Sequence, residues 1–505
     1  MPNKNLLAAV DLGSNSFRLL IGRLEETASG TQIYPVDTLK EPVRLASGLD
    51  SDKRLNAAAQ LRAVQALQRF AERLQAFKPD QVRAVATNTF RVAKNARDFL
   101  LTAEEALGFP IEIIAGREEA RLIYLGVAHS LPLLPVGEEP AESQRLVVDI
   151  GGGSTEFIIG SHYEPRLTES LLMGCVSYTL RYFPNGELTR EGFKQAELAA
   201  RKEIESIADS YLEADWHEAV GSSGTAKALA EILELNQLNP VGTTGITRKG
   251  LEKLREVLLK AGHINKVKLE GLKADRIPVM PGGFSIMAAV FAELNIEHME
   301  FADGALRLGV LYDLLGREQS HDMRELTVAQ FMQRYKVDTI HANAVAQVVE
   351  QLTQKLPDID EHERHLLHWA ALLHEVGLSI AHASYHKHSA YMLTHADMPG
   401  FSKRDQQRLA NLVLAHTGKL AKLARGEVGR NEWLLVLCLR LGFLFCRRRG
   451  HLDLPKLSLT RDKNKVDGYS LQSPADFLQT HPLTDYSLKQ EADEWAKLGI
   501  QLAIN

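Results

Sequence analysis

Two short segments of the sequence follow the same plan, and this repetition limits the folds open to the chain. The first segment runs from Leu6 to Ser16 and the second from Leu146 to Thr155. Each contains an apolar run, an Asp, then glycine and hydroxyl residues, and a second apolar run follows. This order predicts a buried strand that ends on a carboxylate, a turn, and a partner strand. Two copies indicate two lobes that face each other across a ligand.

The turns of both segments have the chemistry of a phosphate cradle. Their small side chains leave backbone N–H groups open to the close approach of a phosphate. Asp11 and Asp149, at the two strand ends, are placed to hold a cation or its water beside that phosphate. A third strand, glycine-rich turn and helix occur around Gly221–Thr225, where the helix N-terminus could also bind an anion. Arg18 and Arg91 are candidate phosphate clamps.

A hydrolase also needs a group that orients or deprotonates water. Glu118 and Glu119 lie in the first turn of a predicted helix, where the helix dipole favours carboxylates and lowers their pKa even without a catalytic role. Glu156 lies two residues past Ser154, so in an extended strand both side chains share one face. A structural glutamate is equally compatible with these positions. The residues alone therefore do not select the base.

Composition indicates a soluble, multidomain chain in a reducing compartment. The 505 residues are 45% hydrophobic and 24% charged, with a net charge of −5 and three widely spaced cysteines. The apolar run from Leu6 stops at Asp11, which is too short for a signal peptide. The most apolar stretch, Trp433 to Cys446, is interrupted by Arg440 and is shorter than the roughly 20 residues of a membrane span. We expect a cytoplasmic protein without integral membrane contact.

One segment departs from this acidic average. Between Phe401 and Gly450, eleven Lys and Arg residues oppose three acidic residues, a net charge of +8. A solvated helical surface and a track for an extended polyanion are both compatible with this pattern. Few aromatic residues are interleaved, which disfavours nucleic acid as the partner. The residues predicted for a substrate track are Arg18, Arg447, Arg448 and Arg449.

Strands alternate with helices in the first 315 residues, which indicates α/β lobes with mixed sheets. A proline-rich linker is predicted at 131–143. From about residue 320 to 450 helical patterns dominate, and short strands with a helix follow. We predict four domains, at 1–124, 125–315, 316–455 and 456–505.

Several motifs together resemble the exopolyphosphatase/guanosine pentaphosphate phosphatase family, and the resemblance covers essentially the whole chain. They are Ala9–Phe17, Gly116–Tyr124, Val148–Glu156, Met173–Ser177, Gly221–Thr225, Asp303–Arg307 and Leu373–Leu378. The resemblance implies an α/β fold with two ribonuclease-H-like lobes, as in actin, Hsp70 and acetate kinase. It further implies an all-α domain similar to HD phosphohydrolases and a small C-terminal α+β domain.

The resemblance also implies roles for individual residues. Glu119 would be the general base that activates water, and Asp149 and Glu156 would support catalysis. Asp11, Asp149 and Glu156 would hold Mg²⁺, with stimulation by K⁺ as a further expectation. The residues implied in phosphate binding are Asp11, Gly13, Ser14, Asn15, Arg91, Gly151, Gly152, Gly153, Ser154, Thr155, Gly221, Ser222, Ser223 and Gly224.

Three positions bear on substrate and activity within the family pattern. Arg18 stands where the family often has His, and Leu308-Gly309 stands where Glu-Gly often follows. Gly153, as the third glycine of its loop, favours the exopolyphosphatase branch. The helical domain carries many histidines, among them His382 and His386 at the i, i+4 spacing of helical metal ligands.

The leading hypothesis is a processive exopolyphosphatase that removes terminal phosphates from inorganic polyphosphate. The alternative is a guanosine pentaphosphate phosphohydrolase, or one enzyme with both activities. An actin-like ATPase or sugar kinase and a polyphosphate-binding sensor without activity are further hypotheses. The resemblance also suggests a homodimer.

Overall fold

The computed structural model describes residues 5–27, 30–131, 144–318, 322–423, 429–449, 455–462 and 467–505. The chain folds as two compact units, Met1–Asp322 and Met323–Asn505, which are described separately below. The linker predicted at 131–143 lies outside the described residues, apart from Leu131. The division into four domains stays a prediction.

The first lobe of the first unit is built on a mixed five-stranded sheet. Its strands are β1 (Leu6–Leu12), β2 (Phe17–Thr27), β3 (Gly30–Glu41), β4 (Val82–Ala86) and β5 (Ile111–Ile113), in the order β3-β2-β1-β4-β5. Strand β1 pairs antiparallel with β2 and parallel with β4. It lies in the middle of the sheet because its apolar side chains are buried on both faces. The helices are α1 (Ala57–Leu74), α2 (Asn88–Val92), α3 (Ala96–Leu107) and α4 (Gly116–Ser130).

The second lobe repeats the same plan, as the sequence predicts. Its strands are β6 (Arg145–Ile150), β7 (Thr155–Ser161), β8 (Glu164–Leu171), β9 (Glu218–Ser222), β10 (Ile246–Thr247) and β11 (His298–Phe301), in the order β10-β11-β9-β6-β7-β8. Strand β6 pairs antiparallel with β7 and parallel with β9, just as β1 pairs with β2 and β4. The helices are α5 (Cys175–Tyr182), α6 (Arg190–Glu213), α7 (Ser223–Leu235), α8 (Arg248–Ala261), α9 (Met280–Glu293) and α10 (Leu306–Glu318).

Helix α10 returns to the first lobe, where it packs against α4 and β1. Glycines allow the two helices to lie very close together. A Cβ atom at Gly309 would lie 1.7 Å from the carbonyl oxygen of Leu122, and one at Gly126 would lie 2.2 Å from that of Ala305. The Leu308-Gly309 position therefore retains the glycine that this helix contact requires.

The second unit is a bundle of helices followed by a small sheet. The helices are α11 (Met323–Arg334), α12 (Thr339–Thr353), α13 (Glu361–Leu373), α14 (Tyr385–His395), α15 (Lys403–Ala415) and α16 (Arg430–Phe445). Next come β12 (Ser458–Arg461), β13 (Gly468–Gln472), α17 (Ala475–Thr480), α18 (Pro482–Ala496) and β14 (Gln501–Ile504). Arg440, the charge within the apolar stretch, lies on the buried helix α16 and bonds to Glu491 of α18. In the described ranges, no helix is long and apolar enough to cross a membrane.

One expectation about this unit is wrong. The spacing of His382 and His386 predicts that they share a helix, but α14 begins only at Tyr385, so His382 precedes it. The i, i+4 spacing therefore does not place these two imidazoles one turn apart on a single helix.

Candidate active site

The two Asp-Gly loops of the first unit face each other closely. A Cβ atom at Gly152 would lie 3.2 Å from the Cβ of Ser14, and one at Gly153 would lie 2.5 Å from Oδ1 of Asn88. The second loop is braced from behind, because the N–H of Cys175 at the start of α5 donates to the carbonyl of Gly151. Glycine is needed in this loop because the backbone of one lobe reaches the side chains of the other.

Between the loops lies a cleft of about 380 Å³. This volume is within the usual range of small-molecule sites, roughly 300–1,000 Å³. The predicted site residues on its walls are Asp11, Gly13, Ser14, Asn15, Arg18, Glu119, Asp149, Gly151, Gly152, Gly153, Ser154, Ser223 and Gly224. The repeated motif therefore does bring its two copies to one cavity.

The remaining predicted residues support these walls. Thr155 is fully buried and donates its hydroxyl to the carbonyl of Met173, at 2.6 Å. Ser222 donates to Oδ2 of Asp149 at 2.7 Å, and Gly221 packs against Ala226. Because its hydroxyl is committed to Asp149, Ser222 orients that carboxylate.

Four carboxyl groups are gathered at this cleft: Asp11, Glu119, Asp149 and Glu156. Glu156 is 1% exposed and lies behind the wall, where Ser170 Oγ donates to its Oε1 at 2.8 Å. Burial raises the pKa of Glu156 well above its ordinary value, and the charges of Glu119 and Asp149 raise it further. Burial likewise raises the pKa of Asp149, against the hydrogen bond from Ser222.

Among the four carboxyl groups, Asp11 has a pKa that is raised into the neutral range. Burial raises its pKa from 3.8 to about 7. The positive charges of Arg307 and Arg18 oppose this rise, whereas the negative charges of Glu119 and Asp149 add to it. The carboxylate cluster is thus costly to ionise in the absence of a cation.

Arg91 holds Glu119 in place. Its Nη1 donates to Glu119 Oε2 at 2.7 Å and to the carbonyl of Ile114 at 3.1 Å. Burial raises the pKa of Glu119, contrary to the lowering expected from the helix dipole, and the charge and hydrogen bond of Arg91 counteract that rise. In the structure, Arg91 therefore forms a hydrogen-bonded ion pair with the candidate base. Phosphate contact by Arg91 stays a prediction.

The cleft contains further polar residues to which the sequence analysis assigned no role. Arg276 packs on the backbone of Gly224, where a Cβ would lie 1.8 Å from its Nη2. Arg307 lies on the wall, and burial beside the charge of Arg18 lowers its pKa to about 10. Asn88 has a buried amide nitrogen without a hydrogen-bond partner among the residues that the structure describes. Arg307 belongs to the motif Asp303–Arg307, whereas no motif marks Asn88 or Arg276.

The other residues predicted for a substrate track lie in the second unit. Arg447 lines a separate cavity of about 310 Å³, and Arg449 forms ion pairs with Glu375 and Asp338. Elsewhere in the basic segment, Arg408 pairs with Glu363 and Glu432. Arg408 and Arg449 are therefore paired with acids outside the segment, Glu363, Glu375 and Asp338. A track along Arg447, Arg448 and Arg449 stays a prediction.

The acidic residues at the cleft have the ligand chemistry that a hard divalent cation prefers. Asp11, Asp149 and Glu156 offer only oxygen atoms, which Mg²⁺ prefers. Burial is the main cause of their raised pKa values, and a bound cation would favour the ionised form. Asp11 and Asp149 line the cleft, whereas Glu156 lies behind its wall. A divalent cation held by these three carboxylates stays a prediction.

Comparison with known proteins identifies the family. A model of the Ppx/GppA phosphatase family matches residues 24–318, and one of Ppx/GppA phosphatase domain III matches 323–492. The chain belongs to the Ppx/GppA phosphatase family. It is therefore a phosphoanhydride hydrolase with two actin-like lobes followed by a helical domain.

Three individual proteins show how far the similarity extends. A guanosine-5'-triphosphate,3'-diphosphate pyrophosphatase of Photobacterium profundum is 37% identical over 508 residues, covering 100% of this chain and 98% of the relative. One of Aeromonas hydrophila subsp. hydrophila is 39% identical over 507 residues, covering 99% and 98%. The crystal structure of an exopolyphosphatase from Cytophaga hutchinsonii has a TM-score of 0.53 at 21% identity, covering 62% of this chain and 98% of that one. The last similarity shows the fold alone.

These relatives correct one expectation. Gly153, by its place in the second loop, favours the exopolyphosphatase branch of the family. The full-length relatives are named guanosine-5'-triphosphate,3'-diphosphate pyrophosphatases, so this inference from a single glycine is not supported. The family assignment itself is confirmed.

The Asp11→Asn variant should be more stable than the wild-type chain in cation-free buffer at pH 8. The pKa of Asp11 is raised on folding, so the stability that its proton provides is complete below about pH 4 and is lost as the pH rises through 7. We expect the free energy of unfolding to rise on the order of 2 kcal/mol at pH 8. This is about half of the free energy that corresponds to the full pKa shift, because Asp11 keeps some solvent contact. The gain should shrink at pH 5.

The measurement is calorimetric melting in chelator at both pH values. Asp209→Asn, on the exposed face of α6, removes one carboxylate far from the cleft and serves as the control. A gain for Asp11→Asn that is equal at pH 5 and pH 8 would contradict the assignment of the raised pKa to this residue.

Proposed function

We propose that the protein hydrolyses guanosine 5'-triphosphate 3'-diphosphate, releasing the terminal 5'-phosphate and leaving the 5'-diphosphate 3'-diphosphate. The observation that carries the proposal is the identity of 37–39% over full length to two relatives named for this substrate. The geometry of the cleft supports it, because three phosphate loops, one oriented carboxylate and several guanidinium groups meet there.

Glu119 is the residue we assign to the proton transfer. Arg91 fixes one oxygen of its carboxylate, and burial raises the pKa so that the group is a stronger base than an exposed glutamate. In the proposed step, the oxygen of a water molecule bonds to the terminal phosphorus and a proton of that water passes to Glu119. The bond between this phosphorus and the oxygen that bridges it to the β-phosphate breaks. Orthophosphate forms, and guanosine 5'-diphosphate 3'-diphosphate leaves with the electron pair on that oxygen.

Backbone amides and guanidinium groups stabilise the charge that moves in this step. The loops at Gly13–Asn15 and Gly152–Ser154 would offer N–H groups to the terminal phosphate, whereas the N–H of Gly151 donates to the carbonyl of Ser154. Arg18, Arg276 and Arg307 bring positive charge to the same cleft. A divalent cation held by the carboxylates would neutralise further phosphate charge. Phosphoryl transfer depends mainly on such positioning and charge neutralisation.

Exopolyphosphatase activity is the second candidate. The loops and the base serve a terminal phosphate regardless of what lies beyond it, so polyphosphate ends are chemically compatible with the cleft. The basic segment was the main argument for a long polymer, and its pairing with acids weakens that argument. A homodimer with a shared groove stays a prediction.

The test compares three substrates under identical conditions. The purified chain is given guanosine 5'-triphosphate 3'-diphosphate, long-chain polyphosphate or ATP, each with and without Mg²⁺, and free phosphate is measured. We expect kcat/KM for the guanosine substrate to exceed that for ATP at least a hundredfold. Removal of Mg²⁺ should abolish turnover.

Each outcome has a clear meaning. A higher kcat/KM with polyphosphate than with the guanosine substrate would replace the proposal with the exopolyphosphatase assignment. If only ATP is hydrolysed, both the guanosine-substrate proposal and the exopolyphosphatase assignment are excluded, and an actin-like ATPase is favoured. If charge reversal at Arg447 and Arg448 slows long-chain but not short-chain hydrolysis, the predicted track gains support.

A further inference from the structure

Three polar side chains meet in the interior of the second unit, in a place that the proposed activity does not use. His341 lies on α12, and His374 and Glu375 follow the end of α13. All three are 5% exposed or less. Their ligand atoms lie within 4.8 Å of one another. Polar groups buried this deeply normally have hydrogen-bond partners.

Each of these side chains nevertheless has an unpartnered atom. Nε2 of His341, Nε2 of His374 and Oε2 of Glu375 form no hydrogen bond with any residue within the described ranges. Leaving buried polar atoms unsatisfied costs roughly 1–3 kcal/mol each. All three residues carry such an atom and belong to the same cluster, which points to a ligand in common.

The hydrogen bonding of His374 prepares it as a metal ligand. Its Nδ1 donates to the carbonyl of Ala371 at 2.7 Å, so the lone pair lies on Nε2, which is the unpartnered atom. A backbone carbonyl on the second ring nitrogen is the usual support of a metal-binding histidine. Neutral imidazole is the form that binds a metal.

Glu375 is oriented in a similar way. Arg449 donates to its Oε1, which is also the oxygen that faces the two imidazoles, and Oε2 has no hydrogen-bond partner among the described residues. Nε2 of His341 lies 3.8 Å from Oε1 of Glu375, and Nε2 of His374 lies 4.0 Å from it. Two nitrogen atoms and one carboxylate oxygen are a ligand set typical of Zn²⁺ with an open fourth position.

We propose that His341, His374 and Glu375 form a binding site for one zinc-class divalent cation in the helical unit, separate from the carboxylate cluster of the cleft. The neighbouring His416 is not a ligand, because its Nε2 already bonds to the hydroxyl of Tyr385 at 3.0 Å. Bonds of roughly 2.0–2.2 Å require the three ligands to close up by about an ångström.

An access route exists on the side of Glu375. Glu375 and Arg449 line a cavity of about 510 Å³, together with Arg334 and Lys336. The ion can therefore reach the carboxylate without passing through the helical core.

The test is a Zn²⁺ titration of the full chain after chelator treatment, followed by calorimetry. Excess Mg²⁺ is present throughout, so that the oxygen ligands of the cleft are occupied. We expect one equivalent of Zn²⁺ to bind to the wild-type chain. The variants His341→Gln and Glu375→Gln should bind it at least tenfold more weakly. His382→Gln, which removes an exposed histidine of the same unit, should bind it as the wild type does.

Co²⁺ provides a second measurement on the wild-type chain. Bound to a site with two histidines, it should give a visible absorption band that Zn²⁺ abolishes, so the proposal stays testable even if a variant fails to fold. Absence of this band, or equal Zn²⁺ affinity in the wild-type chain and in folded His341→Gln, would overturn the proposal.

Discussion

The Glu119→Gln variant should release phosphate about a thousandfold more slowly than the wild-type chain, a loss within the usual range for a general base. Glutamine keeps the shape of the side chain and can still accept the hydrogen bond that Arg91 donates to Oε2. It cannot accept a proton from water. The loss should therefore fall on kcat, and phosphate release in single-turnover experiments measures it directly.

Substrate binding separates this role from a structural one. We expect the equilibrium affinity of Glu119→Gln for its substrate to stay within a few-fold of wild type, because the loops and the guanidinium groups are unchanged. Glu169→Gln is the matched control. The carboxylate of Glu169, on β8, pairs with Arg117 of α4, the helix that also carries Glu119, but Glu169 does not line the cleft. Near-normal turnover by Glu119→Gln would exclude it as the base.

The sequence predicts the framework of the cleft because that framework is encoded locally. An apolar strand, an Asp and a small-residue turn lie within a dozen residues, so each copy can be identified by itself. The repetition then predicts that Asp11 and Asp149 face each other, and both line the cleft. The alternation of strands and helices also predicts the two mixed sheets.

What could not be predicted depends on residues distant in sequence. Arg276 reaches the cleft from a segment before α9, and its guanidinium packs on Gly224, some fifty residues earlier in the chain. The contact of Arg91 with Glu119 requires the geometry of two helices. Charge in the basic segment was counted along the chain, whereas its neutralisation involves acids such as Glu363 and Glu375 on other elements.

We expect the first unit to lose the most stability when a buried cluster of charged side chains around Asp313 is disrupted by substitution. Asp313 on α10 accepts from Nη1 of Arg83 at 2.6 Å and from Nε of Arg317 at 3.2 Å, and it also pairs with Arg121. Arg121 holds Glu118, the neighbour of Glu119, at 2.8 Å. The cluster thus connects α10 to β4 and to the helix that carries the candidate base.

The Asp313→Ala variant should lose about 3–5 kcal/mol of stability in the first unit, because it leaves buried guanidinium groups with too little negative charge. The arginines hold the pKa of Asp313 far below its ordinary value, so its contribution is present above about pH 4 and is lost as the pH falls further. Hydrogen exchange of the amides of β4 and α4 at pH 7 measures the loss in this unit alone.

Glu293→Ala is the control, because it breaks a more exposed ion pair with Arg201 and should cost less than about 1 kcal/mol. Asp313→Ala should also lower kcat at temperatures at which the chain is still folded. The reason is that the Arg121–Glu118 pair helps to keep Glu119 in the position at which it accepts the hydrogen bond of Arg91. Equal losses in the two variants would mean that the buried charges are not coupled to the fold. Full activity in folded Asp313→Ala would mean that the position of the base depends on Arg91 alone.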